Sequence, residues 1–336
     1  MFNRENLMRK SLMRMTLRQL QVFRAVCENR SYSRAAEEMA LTQPAVSLQV
    51  RQLEELIGQP LFEYVGKVLY LTPAAEALMR AERDIFGRLE SLDMQLSDLQ
   101  GSLQGQLSLA IESSAKYFVP HLFAAFRKVY PEVSLQLTVL NHGLIVKRLG
   151  VSRDDLLIMS MVPPGLDLEF LPFLNNPIVA VAPPDHPLAA RDSLSLKDLT
   201  GWPLLVRETG SGTRLACETF CHQKRAHFSQ RLEMGSTEAQ YEGVIAGLGL
   251  AMLPRHAVRR ALECHSLVEL PVAELPLIHS WCVVHPRDKR LSPVAQAFFQ
   301  FIRDQRKAIN ALAARFAAEP SGKPADRPAQ PDRGNR

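Results

Sequence analysis

No run of eighteen apolar residues occurs anywhere in the 336-residue chain, so a membrane-spanning helix is not expected. Residues 1–14 are basic but lack the apolar core, roughly 7–15 residues long, that marks a secretory signal. Cysteine is sparse: Cys27, Cys217, Cys221, Cys264 and Cys282 are the whole complement. With no export signal they read as reduced thiols of a cytoplasmic protein. Cys217, Cys221 and His222 sit close in sequence, but no second ligand pair lies at a zinc-like interval. They read as ordinary residues of a helix over 215–224, and no metal is expected. There is no Gly-x-Ser-x-Gly elbow and no paired-acid motif, and histidines such as His121, His142 and His256 are scattered. Nothing here asks for an enzyme or a cofactor.

Surplus charge is also missing from the body. The net charge is +5. Residues 1–14 hold four Lys/Arg against one Glu, and 301–336 hold eight against four acids, which leaves −2 between them. Residues 15–72 carry six of each sign. The basic pI therefore says nothing about nucleic acid, and any such function must rest on the placement of a few groups.

What is present is organised around residues 32–51, which read as two short helices about a tight corner. Ala35, Ala36 and Met39 form the inner face of the first helix, and Leu41 plugs the corner. Thr42 is an N-cap and Pro44 falls in the first helical turn, where its missing N–H costs little. Val46, Val50, Leu53 and Ile57 recur as one apolar stripe. The opposite face carries Gln43, Pro44, Ser47 and Arg51. A helical hairpin packed in a core fits the periodicity; a recognition helix lying in a DNA major groove fits both periodicity and polar face.

The wording Ser33-Arg34-Ala35-Ala36-Glu37-Glu38-Met39-Ala40-Leu41-Thr42-Gln43-Pro44-Ala45-Val46-Ser47, followed by Gln49-Val50-Arg51-Gln52-Leu53-Glu54-Glu55-Leu56-Ile57-Gly58, then Pro60-Leu61-Phe62-Glu63 and Leu71-Thr72-Pro73, closely resembles the DNA-binding domain of LysR-type transcriptional regulators over 15–72. That resemblance implies a winged helix-turn-helix, with the motif at 32–51. Gln43, Pro44, Ser47 and Arg51 are expected at base edges or adjacent phosphates. Arg18, Arg34, Thr42 and Lys67 are expected on the backbone, Lys67 at the tip of a hairpin wing and Arg18 ahead of Arg24. Tyr64 stands where many relatives have arginine, which puts one phosphate contact in doubt.

Thr72-Pro73 starts a long helix. Leu78, Ile85, Leu89, Leu92, Leu96, Leu99 and Leu103 recur on one stripe that a lone helix cannot bury. Residues 73–104 therefore read as a linker and dimerisation helix plus hinge; a buried helix of the next domain is the other reading. Beyond it, short apolar runs alternate with helices in two series, the second starting near Ile178. This argues α/β with a mainly parallel sheet. The resemblance implies a two-lobed, Rossmann-like effector domain over 105–316, similar to periplasmic binding proteins. Lobe I would hold about 105–177 and 281–316, and lobe II 178–280. Residues 1–14 read as a flexible extension and 317–336 as a disordered tail.

Ligands of such lobes bind off strand ends at helix N-termini. Ser113 and Ser114, the loop carrying Ser211, Gly212, Thr213 and Arg214, and Ser236 are the candidate effector groups, the loop as a nest of amides suited to an anion. Helix capping is the competing role for each serine, and a nearby acid the competing partner for Arg214. The wording Leu156-Leu157-Ile158-Met159, Ala182-Pro183-Pro184-Asp185-His186-Pro187-Leu188 and Arg207-Glu208-Thr209-Gly210-Ser211-Gly212-Thr213-Arg214 resembles the branch controlling carbon-fixation genes, which implies a small anionic metabolite. That branch often has Gly-Arg where this chain has Ser160-Met161-Val162, so one cationic contact is missing. The expected partners are double-stranded DNA, the metabolite and further copies of the chain as homodimer or homotetramer; RNA polymerase stands as a further candidate. A solute-binding protein or a cleft enzyme with an incidental helix-turn-helix is the alternative.

Overall fold

A computed structural model describes residues 12–98, 103–150 and 153–317. The chain divides into two compact units, Met1–Gln100 with Val151–Arg153, and Gly101–Gly150 with Asp154–Arg336. Each is taken by itself. Most of the expected extension (1–11) and tail (318–336), together with part of the expected hinge (99–102), lies outside the described residues.

In the first unit, helix α1 (Leu17–Asn29) opens on a reciprocal cap. The Gln19 amide donates to Thr16 Oγ1 (3.2 Å) and the Thr16 amide to Gln19 Oε1 (3.0 Å), so two amides that a helix start leaves unpaired are satisfied. Helices α2 (Tyr32–Glu38) and α3 (Gln43–Ile57) follow. Ala35 and Ala36 are buried, and their small side chains let α3 cross closely. Ala40 takes a left-handed φ of +52° at the corner, while the Leu41 amide returns to the Ala36 carbonyl (2.9 Å). Thr42 caps α3, its Oγ1 accepting from the Ala45 amide (3.4 Å). Gly58 ends it at φ +76°, a conformation that suits glycine. Val46, Val50 and Leu53 are buried and Ile57 half-buried, as the stripe requires. Strands β1 (Phe62–Val65) and β2 (Val68–Leu71) pair antiparallel about Gly66-Lys67, so the expected wing is present.

Helix α4 (Pro73–Asp98) packs its first turns, through Ala75 and Leu78, against Leu20, Phe23, Leu53 and Leu61. Farther along, Ile85, Leu89, Leu92 and Leu96 stay 36–52% exposed. The described residues of its own unit leave this half of the stripe largely open.

The second unit is built on one nine-stranded sheet. Its strands are β3 (Gly105–Glu112), β4 (Val133–Leu140), β5 (Leu156–Met159), β6 (Leu168–Ala182), β7 (Leu204–Arg207), β8 (Arg231–Met234), β9 (Leu250–Pro254), β10 (Val268–Glu269) and β11 (Leu277–Pro286). The order is β4-β3-β5-β11-β6-β9-β7-β8, with β10 beside β6. Pairings at the two ends are parallel; those in the middle are antiparallel. The sheet is thus mixed, not mainly parallel. The reason is that β6 and β11 each serve both lobes. The apolar run expected to begin near Ile178 starts at Leu168 and carries on through Pro172 and Pro177, so the lobe boundaries at 177/178 and 280/281 fall inside continuous strands. A register shift between Trp281 and Cys282 lies in the same pair.

Helices α5 (Val119–Val129), α6 (His142–Leu149), α7 (Gly212–Gln223), α8 (Thr237–Ile245), α9 (Arg255–Glu263) and α10 (Pro293–Ala317) cover the sheet. Separate buried clusters sit in each lobe, one about Leu157, Ile145 and Val284 and another about Leu204, Phe220 and Leu250. Gly249, at φ +152°, lies where a Cβ would stand 2.3 Å from the Pro203 carbonyl oxygen. No other residue fits there.

Candidate functional site

In the first unit, the outward face of α3 follows from its inward one. Gln43, Pro44 and Arg51 are exposed and Ser47 half-buried. Gln43 Nε2 donates to Ser47 Oγ (2.9 Å). Thr42, Arg34 and Lys67 are exposed. Arg18, exposed at the start of α1, reaches only Gln21 (3.5 Å). Arg24 differs: it pairs with the buried Glu82 of α4 (3.4 Å) and lies over the Phe86 ring (5.3 Å to the centroid), so it serves α1–α4 packing. Tyr64 is 65% exposed on the wing and presents a hydroxyl where arginine was expected. Leu48, which the sequence reading passed over, is 53% exposed on α3.

In the second unit, the ends of β3 and β7 meet across the two lobes. Arg207, the last residue of β7, is only 3% exposed. Its guanidinium donates to Thr237 Oγ1 (2.5 Å), to both oxygens of Glu208 (2.8 and 3.0 Å), and across the cleft to Ser113 Oγ (3.2 Å). Glu112, the residue before Ser113, is 2% exposed. Ser160 Oγ donates to Glu112 Oε2 (2.8 Å), and His142 Nδ1 lies 2.8 Å from Oε1. The same carboxylate lies against Gly212, where a Cβ would sit 3.0 Å from Oε2. Three more links join the lobes. The Gly143 amide donates to the Gly210 carbonyl (3.0 Å). Lys116 Nζ (2.7 Å) and the Tyr117 hydroxyl (2.8 Å) both meet Glu238. His256 Nε2 lies 2.9 Å from the Ser114 carbonyl.

The electrostatics follow from these contacts. Partial burial opposes ionisation of Glu238, but hydrogen bonds from Lys116 and Tyr117 outweigh it and hold the carboxyl at about 2. Burial first, then the Glu238 bond and charge, push the Tyr117 hydroxyl above its ordinary range. Burial lowers His256 against the opposing Ser114 carbonyl, and lowers His279 against the Glu112 charge, so both imidazoles are held toward neutrality.

The candidate effector residues divide accordingly. Ser113 faces Arg207, and Gly212 faces Glu112. Ser114 is buried, with its carbonyl on His256. Ser211 and Ser236 cap α7 and α8, accepting from the Arg214 and Ala239 amides (3.5 and 3.1 Å), which is the capping role weighed for them. Thr213 is buried in lobe II. Arg214 is corrected: it is held by Glu218 (3.0 Å), Glu233 (2.7 Å) and the Arg207 carbonyl (2.9 Å). Its Nε and Nη1 donors go to these groups, so the nearby-acid role is the one the structure shows. The arginine in the cleft is Arg207, seven residues earlier. Arg207 and Thr237 lie in two of the stretches weighed for a ligand but were not singled out in them, and Glu112 and His142 were not placed at the site at all, because each acquires its role only when the strand ends converge.

A winged helix with a polar, exposed recognition face, on the same chain as a two-lobed domain with a polar interlobe cleft, defines a ligand-responsive DNA-binding regulator. Residues 17–76 match the family described as "Bacterial regulatory helix-turn-helix protein, lysR family", and residues 100–307 match "LysR substrate binding domain". The chain belongs to the LysR family of transcriptional regulators. A "RuBisCO operon transcriptional regulator" of Acidithiobacillus ferrooxidans is 41% identical over 87% of this chain and 94% of the relative. The regulatory domain of Synechocystis CcmR, solved "in complex with 2-PG", is 36% identical, with TM-score 0.59 over 62% of this chain and 100% of that one. Full-length OxyR from Pseudomonas aeruginosa, 21% identical with TM-score 0.66 over 87% of this chain and 95% of that one, shares the fold. No helix among the described residues is long and apolar enough to cross a membrane.

Proposed function

We propose that this regulator senses a small anionic metabolite bound non-covalently, without cofactor, in the interlobe cleft, and acts in the cytoplasm as a homodimer or homotetramer on carbon-fixation genes. The observation that carries the reading is Arg207: a buried cation at a strand end, bonded to groups of both lobes. A buried guanidinium needs a partner. Here that partner is Glu208, whose side chain is 24% exposed and so has room to turn outward when a ligand anion replaces it. Ser113 and Thr237 would then flank the anion. CcmR, bound to 2-PG over the same domain, supports the ligand class. The open stripe on α4 supports pairing of copies, since exposed leucines at helical spacing need a cover. RNA polymerase is a further partner of this reading. The metabolite would act by binding one arrangement of the oligomer more tightly than another.

The test is titration calorimetry of the full chain with 2-phosphoglycolate as probe. Arg207→Gln should weaken binding by about 1.5–3 kcal/mol, the worth of a charged hydrogen bond, and Ser113→Ala by less, with DNA binding in the absence of metabolite retained. Unchanged metabolite binding by both variants would remove Arg207 from the site.

A further inference from the structure

The polar face of α3 carries one large apolar side chain that the described residues of its unit leave open. Leu48 is 53% exposed. It stands two residues from the buried Val46 and two from the buried Val50. At roughly 100° per residue it lies on the far side of the helix from that stripe. Pro44 and Arg51, one turn to either side, are exposed with it, and so is Gln52. Gln43 is tied to Ser47 alongside (2.9 Å). A protein partner would want a contiguous apolar patch. A single leucine among hydrogen-bonding groups suits a single methyl presented among hydrogen-bonding groups. The major groove offers that only at thymine, whose C5 methyl projects beside the O4 acceptor.

We infer that Leu48 reads a thymine C5 methyl in each half-site and is a specificity-determining residue of the DNA interface. Gln43 and Arg51 supply hydrogen-bond readout on either side, while Leu48 excludes water from the methyl between them. The contact is apolar, made to the methyl on the base edge, and involves no phosphate and no charge, so it adds sequence preference without adding salt dependence.

The experiment uses full-length protein and a duplex it selects from a random-sequence library, remade with each thymine replaced in turn by uracil, which removes only the methyl. Affinities are read by fluorescence anisotropy at fixed salt. One thymine per half-site should prove sensitive, with wild type losing about three- to fivefold there, the worth of one buried methyl-sized group. Leu48→Ala should bind thymine and uracil duplexes equally at that position, and Leu48→Met should restore the difference. Wild-type indifference to every replacement, a selected motif without thymine in its half-sites, or undiminished sensitivity in Leu48→Ala would each overturn the assignment. Because the duplex is chosen by binding, DNA recognition itself stands whichever way the thymine series falls.

Discussion

The two units of this chain handle polar groups in opposite ways. In the DNA-binding unit the polar side chains of interest are exposed and mostly independent: Gln43, Arg51, Arg34 and Lys67 look outward from a core of aliphatic and aromatic residues. In the effector unit they are buried and interlinked: Glu112 with Ser160 and His142, and Arg207 with Ser113, Thr237 and Glu208. The first arrangement leaves donors free for a large, charged partner that brings its own acceptors. The second couples the cleft to lobe geometry, since moving either lobe breaks hydrogen bonds of a buried charge, and such breaks are costly. Composition follows the same divide: all nine histidines and both tryptophans lie beyond residue 120.

The largest effect should come from a backbone position in the effector unit. Gly249→Ala would place a methyl 2.3 Å from the Pro203 carbonyl oxygen, at a φ of +152°. A backbone atom cannot rotate aside as a side chain can, so a loss of about 2–4 kcal/mol is expected. Because Trp202 and Trp281 both belong to the effector unit, tryptophan fluorescence follows that unit alone. Its thermal transition should fall steeply while helix signal from the DNA-binding unit persists. A common shift of both signals would show that the two units unfold together and would remove the contrast.

Arg51→Ala is the reverse perturbation. The side chain is exposed on α3, so stability should be unchanged. Operator affinity should drop by about 1–3 kcal/mol if the guanidinium meets a base edge, and metabolite binding should persist. A weaker salt dependence with little change in sequence preference would reassign Arg51 to a phosphate. Equal operator binding would strike it from the interface.

How much of each unit could be read in advance follows from the same contrast. The winged helix was legible because its signals are local. The Thr42 cap, the Ala35-Ala36 inner face, the Val46–Val50–Leu53 stripe and the Gly58 stop each act within a few residues. The effector unit yielded its alternation of apolar runs and helices, but not that β6 and β11 would each run on as one continuous strand. The second apolar series begins near Ile178 in the sequence, yet β6 starts at Leu168 and runs through Pro172 and Pro177, paired with β11 from Leu168 to Ile178. Arg214 looked like the ligand arginine because it follows the glycines. Glu218, four residues on along α7, is the nearby acid that spacing offered; Glu233 has no local sign, since β8 is brought alongside only by the parallel pairing with β7. Charges that meet through long-range pairing are invisible to spacing.

The smallest expected effect, the change in pH slope on replacing a single histidine, tests the histidine divide directly. Burial lowers His186 against Asp185, His256 against the Ser114 carbonyl, and His279 against Glu112. In the unfolded chain each takes up a proton near its ordinary value of about 6.5. The folded effector unit keeps them neutral to lower pH. Below about 6.5 the unfolded state therefore binds more protons, and stability must fall as pH falls until the folded values are reached. Carboxylates held low, such as Glu238 at about 2, lose their contribution only as pH falls below the ordinary carboxylate range of about 4–4.5, so the window from about 6.5 to 5 isolates the histidines. Asp155, raised by burial, acts in the opposite sense and sets a limit on the slope. Over that window the fluorescence-detected unfolding free energy should fall by about 1 kcal/mol per fully neutral histidine per pH unit, with 1.4 the ceiling. His256→Gln keeps a donor for the Ser114 carbonyl and removes the titration, so its profile should be flatter than wild type. The DNA-binding unit, which has no histidine, should show no corresponding slope. An equal slope in both units, or an unaltered one in His256→Gln, would place the titrating groups elsewhere.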